Sequence, residues 1–283
     1  MHTSIRNQAL TLVITCAFSA AWALPASAAF LIFESNGANP AAITPTRDAF
    51  RTAVGGGTVA GANGDFGGLR REINWDGVPD GFADPNLMPA NFFNSNSPRG
   101  AVFSTPGNGF LVSSNAGQAS PTLFGFPGDL QTFSSQRLFT ILSSNIMDVR
   151  FFVPGTSTSA TTSAFGLIFV DVENTNEAKL EFFDSANTLI FSRFGLAGAN
   201  QGLTFLGAVA NAGETISRVR ITLPNNPLIR NGVRSNETND FVVMDDFLYA
   251  TPTADSSNVP EPSSVTLVGL GLLAANSLRK RLS

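Results

Sequence analysis

The chain has 283 residues, with 17 Lys and Arg against 21 Asp and Glu, one cysteine and one histidine. Those two, Cys16 and His2, lie near the N-terminus, so residues 29–258 contain neither a thiol nor an imidazole. Disulfides, a cysteine nucleophile, a histidine-dependent triad and a Cys/His zinc site are thereby excluded from that body. Its thirteen basic and twenty acidic side chains argue against nucleic acid and toward cations as partners.

In chain order, Arg6 supplies a positive n-region, residues 9–21 an apolar h-region and Ala26-Ser27-Ala28 a small-residue cleavage pattern. This predicts a secretory signal peptide over residues 1–28, cut after Ala28. Residues 30–34 read as a first strand. Thr44 as N-cap with Pro45 behind it predicts one short helix through Val54, stopped by Gly55. Residues 55–68 hold seven glycines and fit neither phosphate-loop pattern, so they read as a surface loop. Residues 70–75 predict a strand ending at Trp75, followed by a turn-rich acidic excursion over residues 76–86.

From residue 100 the apolar runs are short, period-two and separated by Gly, Pro, Asn and Ser. Strands are expected at 100–104, 109–113, 138–142, 146–153, 163–172, 179–184, 188–194, 203–209, 216–223 and 241–251. In the 217–223 run, Val219, Ile221 and Leu223 share one face, and Arg218, Arg220 and Thr222 the other. Asp184-Ser185-Ala186-Asn187 reads as a hairpin turn. The expected fold is all-β: an antiparallel β-sandwich over residues 29–250, jelly-roll-like, with one short N-terminal helix. Residues 251–258 read as a flexible spacer.

The final stretch has its own pattern. Val259-Pro260-Glu261-Pro262 is extended by its prolines, residues 265–278 are mostly apolar, and Arg279-Lys280-Arg281 close the chain with positive charge. The order of motif, short membrane helix and basic end over residues 259–283 resembles the PEP-CTERM sorting signal of exported bacterial proteins. That resemblance implies processing near Pro260, Glu261 and Pro262 by an exosortase, with transient anchoring in the inner membrane. The apolar run spans only about 21 Å as a helix, short of the ~30 Å hydrocarbon core, so Ser263, Ser264 and a snorkelling Arg279 are expected to extend it.

The candidate site residues are acidic. Adjacent Asp245 and Asp246 in an apolar strand should point to opposite faces, and the one facing the core needs a partner. The strand resembles the closing strand of jelly-roll carbohydrate-binding modules, in which such an aspartate ligates a structural Ca²⁺. Asp76, Asp80 and Asp84 could supply further oxygens to calcium. The competing reading pairs Asp245 or Asp246 with Arg218 or Arg220 and leaves the other three as turn residues. Glycoside hydrolysis would need two opposed carboxylates from Glu72, Glu181, Asp76 and Asp245, and nothing in the sequence opposes them. Trp75, beside the acidic excursion, reads as buried in the sandwich, contact with a sugar being the alternative. The function expected is a non-enzymatic structural or adhesive protein of the cell surface or extracellular matrix. A Ca²⁺-dependent module binding extracellular polysaccharide is the alternative, and a carboxylate-based glycoside hydrolase the remaining one.

Overall fold

The computed structural model describes residues 29–114, 122–230 and 233–255. The predicted signal peptide with its Ala28 cleavage site, the sorting motif Pro260-Glu261-Pro262, the membrane segment and the basic end Arg279-Lys280-Arg281 all lie outside the described residues. Among the described residues no helix is long and apolar enough to cross a membrane.

The body is mostly β, built from two sheets, as the period-two runs require. Each strand is named here by its first residue. The first sheet orders the strands Phe30–Gly37, Leu203–Ala210, Ala164–Val170, Val243–Ala250 and Phe139–Leu142 side by side. These pairings are antiparallel, and a parallel contact joins the Phe139 strand to the short Leu228–Ile229 strand. Arg70–Ile73 pairs along the later half of the Val243 strand, and Gly109–Val112 pairs with the Phe139 strand. The second sheet runs Leu189–Phe194, Lys179–Phe183, Arg218–Thr222, Ile146–Phe152 and Ser159–Thr161, with Ala101–Ser104 also on the Ile146 strand.

Phenylalanine fills the larger buried cluster, which draws residues from both sheets: Phe103, Phe139, Phe165, Phe182 and Phe247 are each at most 2% exposed. The Arg218 strand shows the expected partition, since Val219 and Ile221 are fully buried. Its other face is covered as well. Arg218 lies over the Phe183 ring, 3.7 Å from the centroid, and both Arg218 and Arg220 bond Asp148 at 3.0 and 2.8 Å. The 184–187 turn closes the expected hairpin through Asn187 N–H to the Asp184 carbonyl, 3.0 Å.

A second cluster gathers helix α1 (Pro40–Val54) and the first sheet through Ile43, Phe50 and Phe205. Phe50 reaches the sheet because Gly166 and Gly207 face each other across the ladder. A Cβ on Gly207 would stand 2.9 Å from the Phe50 ring, and one on Gly166 3.3 Å. The helix begins earlier than the sequence predicts. Asn39 is the N-cap, its side chain accepting from Ala42 N–H at 3.2 Å, and Pro40 occupies the first turn. Thr44 instead turns its hydroxyl back to the Pro40 carbonyl, and Pro45 sits inside the helix. Both Asn-Pro and Thr-Pro match the same start signature, and the upstream one is used. Gly55, with φ +90°, is the stop as expected. A second short helix, Phe92–Ser95, was not foreseen.

The first part of the predicted spacer is paired, and residues 256–258 lie outside the described residues. Thr253–Ala254 pairs with Ser159–Thr161 at the edge of the second sheet, and Asp255 N–H donates to the Ser159 carbonyl.

Candidate functional site

Asp245 and Asp246 lie on the centre of the first sheet, fully buried and 5% exposed respectively. Strict alternation would send them to opposite faces. The ladder between the Val243 and Ala164 strands slips between Met244 and Phe247, a bulge that turns both carboxylates toward one group. That group is the Ser134 hydroxyl, 3.2 Å from Asp245 Oδ1 and 2.8 Å from Asp246 Oδ1. Asp245 Oδ2 also accepts from Phe133 N–H at 2.7 Å.

One hydroxyl carries one proton, so two charged carboxylates beside it would repel each other in a dry site. Burial first, and then the neighbouring Asp246 charge, hold the Asp245 carboxyl well above the usual range, while burial pushes Asp246 up to about 6. Both shifts favour holding a proton within the pair.

The acidic excursion holds the other end of the same segment. Asp76 Oδ1 accepts from Gln136 and Arg137 N–H, the latter at 3.1 Å, and Asp80 accepts from the buried Arg137 guanidinium, which also donates to the Ser113 carbonyl. Burial raises the Asp76 carboxyl despite these donors. Four of the five aspartates singled out in sequence thus converge on residues 133–137. Asp84 stands apart: its N–H donates to the Val112 carbonyl at 2.8 Å, and burial raises its carboxyl. The expected ion pair with Arg218 or Arg220 is not formed, because both arginines lie on the second sheet, where Asp148, opposite Arg220 in the neighbouring strand, accepts from both.

Trp75 is 1% exposed and is core rather than a sugar platform. It stacks on Phe139 at 3.9 Å and 4°, meets Phe247 edge-on at 5.1 Å, and donates its indole N–H to the Asp245 carbonyl at 2.9 Å. It thereby fixes the bulge that aims the two carboxylates. Its φ of +66° ends the Arg70 strand and turns the chain into the excursion.

Asp246 and Ser134 line a cleft of about 670 Å³ between helix α1, the glycine-rich loop and the Arg70 strand. Arg47 and Arg51 come from the helix, Asn63 and Phe66 from the loop, and Glu72 from the strand. The cleft has a mixed polar and apolar lining, and its charges are fixed. Glu72 is gripped by Arg51 at 2.6 and 2.9 Å and by Arg70 at 2.6 Å, and Arg47 lies over the Phe133 ring at 4.9 Å. Arg70, 1% exposed, also donates to the carbonyls of Gly55 and Gly57, so the loop rim is tied to the sheet. Neither the cleft nor the arginine clamp has a sequence signature, since both depend on how the helix docks.

A third acidic group escaped sequence reasoning. Asp171, Glu173 and Asp240 place one carboxylate oxygen each within 4.8 Å of the others. Asp171 is 2% exposed and accepts from Gln201 N–H at 2.7 Å; burial, aided by the charges of Asp240 and Glu173, pushes it up to about 7. Glu181, considered in sequence, pairs with Lys179 at 2.9 Å on the second sheet, away from the cleft lining.

Comparison with known proteins adds information about the tail. A family model for the PEP-CTERM protein-sorting motif matches residues 258–281. No curated protein matches the chain.

Proposed function

We propose that this chain, whose residues 258–281 match the PEP-CTERM protein-sorting motif, is exported and sorted by an exosortase-type enzyme, and that its β-rich body is a non-enzymatic structural or adhesive protein of the cell surface or extracellular polymeric matrix. Within this reading the two sheets form a jelly-roll-like sandwich, and the cleft beside helix α1 is the adhesive surface, with extracellular polysaccharide as its ligand. The observation that carries the reading is the fixed charge array of the cleft. Glu72 is occupied by Arg51 and Arg70, and Asp246 by Ser134. Within this reading such held carboxylates orient the hydroxyl groups of a bound polymer rather than cleave it. Arg47 adds a guanidinium suited to the uronic or sulfated groups of acidic polymers.

Co-sedimentation of the full chain with neutral and acidic polysaccharides tests this. Retention on acidic polymers that falls about tenfold in Arg47→Ala is expected, from the loss of one charged hydrogen-bonding partner. Release of reducing ends from any polymer in the panel would overturn the non-enzymatic reading. A Ca²⁺-dependent carbohydrate-binding module is the second reading, favoured by the buried Asp245–Asp246 pair; polysaccharide retention unchanged by chelator would remove it.

A further inference from the structure

Acidic clusters are common on protein surfaces, and the trio Asp171, Glu173 and Asp240 would mean little by proximity alone. What distinguishes it is the state of Asp240. The residue is 7% exposed, its Oδ2 accepts from Glu173 N–H at 2.7 Å, and its Oδ1 is buried without any hydrogen-bond partner. Nearby Glu177, whose charge helps raise Asp240, has a buried Oε2 in the same condition. Among the described residues none of these four acids forms an ion pair, whereas Asp129 beside them is paired with Arg234 at 3.1 Å. A buried, unpartnered carboxylate oxygen on a residue grouped with other carboxylates, with no base to meet it, is costly unless a cation joins them.

The topology explains how the group is assembled. Val170 ends one central strand and faces Val243 at the start of the next, so the residues just after the first and just before the second are brought together. Asp171 follows the Ala164 strand directly, with φ +71°, and Asp240 precedes the Val243 strand.

We propose that Asp171, Glu173 and Asp240 bind a divalent cation of the calcium type, with Glu177 as a further donor, clamping the exit of the Ala164 strand to the entry of the Val243 strand. All the donors are hard oxygens, and calcium accepts six to eight of them in flexible geometry, which loop carboxylates, carbonyls and water can complete. The site is distinct from the Asp245–Asp246 pair and does not depend on the cleft being a polysaccharide site. Affinity in the range of extracellular calcium modules, Kd about 10⁻⁴–10⁻³ M, is expected.

The test is thermal unfolding and calorimetric titration of the chelator-treated full chain with CaCl₂, using MgCl₂ in parallel. At a hundredfold excess over Kd, calcium should raise Tm by roughly 5 °C or more, with magnesium weaker. Asp240→Asn should weaken calcium binding at least tenfold. Glu173→Gln, an exposed position that leaves the core untouched, should weaken it as well and decides the matter if the Asp240 variant does not fold. No calcium response in the native sequence, or a response in both variants equal to that of the native chain, would overturn the proposal. So would a response lost in Asp246→Asn but kept in Asp240→Asn and Glu173→Gln, because the ion would then belong to the other aspartate pair.

Discussion

Replacing Trp75 is the sharpest probe of how the body and its site are joined. The indole is almost wholly buried, lies flat on Phe139 and closes the bulge by donating to the Asp245 carbonyl. Trp75→Ala removes the largest side chain of the core, a loss of about 3–5 kcal/mol in comparable truncations. It also orphans a buried carbonyl, which adds about 1 kcal/mol or more. The sum, roughly 5 kcal/mol, corresponds to a fall in Tm of about 10–20 °C for a domain of this size. Trp75→Phe keeps a ring against Phe139 and loses mainly the N–H, so about 1–3 kcal/mol is expected. Urea unfolding of the full chain and both variants would measure the two steps. If neither cost more than about 1 kcal/mol while polysaccharide retention collapsed, the indole would be a ligand platform and the structural reasoning refuted.

Other consequences are testable in the same preparation. The aspartate pair holds more protons folded than unfolded between the ordinary carboxylate range and about 6 for Asp246, with Asp245 extending the window upward. Stability should therefore fall as pH rises through that window, and Asp245→Asn, which can donate where the protonated acid does, should flatten the slope between pH 5 and 8 in urea titrations. Gly207→Ala places a Cβ 2.9 Å from the Phe50 ring and should cost about 1–3 kcal/mol, part of which Phe50→Leu restores; additive losses in the double variant would contradict the close approach. Arg70→Lys keeps the charge and loses the fork that reaches both Glu72 and the Gly55 and Gly57 carbonyls, so limited proteolysis should cut within residues 55–68 several-fold faster. Unchanged cleavage would show that the loop is held by other contacts.

Much of the fold was legible because each strand carries its own period. Residues 218–222 alternate cleanly, and the 184–187 turn has its Asx chemistry in plain sight. The helix start was misread for a local reason, since two Xaa-Pro caps stand five residues apart. The site was less legible because it depends on departures from period. Asp245 and Asp246 were read as facing apart, and a single slipped pairing brings them to one serine. Arg218 and Arg220 were candidate partners for them, but strand order puts both on the other sheet, within reach of Asp148. Asp171 and Asp240 are far apart in the chain, and only the neighbouring of the Ala164 and Val243 strands puts them together. Strand order is a property of the whole sheet, which alternation along one strand does not encode.

The way the chain leaves the body has a mechanical consequence. Beyond Ala250 it crosses to the edge of the second sheet and pairs there over Thr253–Ala254, with Asp255 N–H donating to the Ser159 carbonyl. Tension arriving through the C-terminal tail would peel this two-residue ladder first. The load would then reach the Val243 strand, which lies between the Ala164 strand on one side and the Arg70 and Phe139 strands on the other. Those ladders resist along their length, with many hydrogen bonds strained at once, so the short terminal pairing acts as a yielding joint ahead of a stiff body.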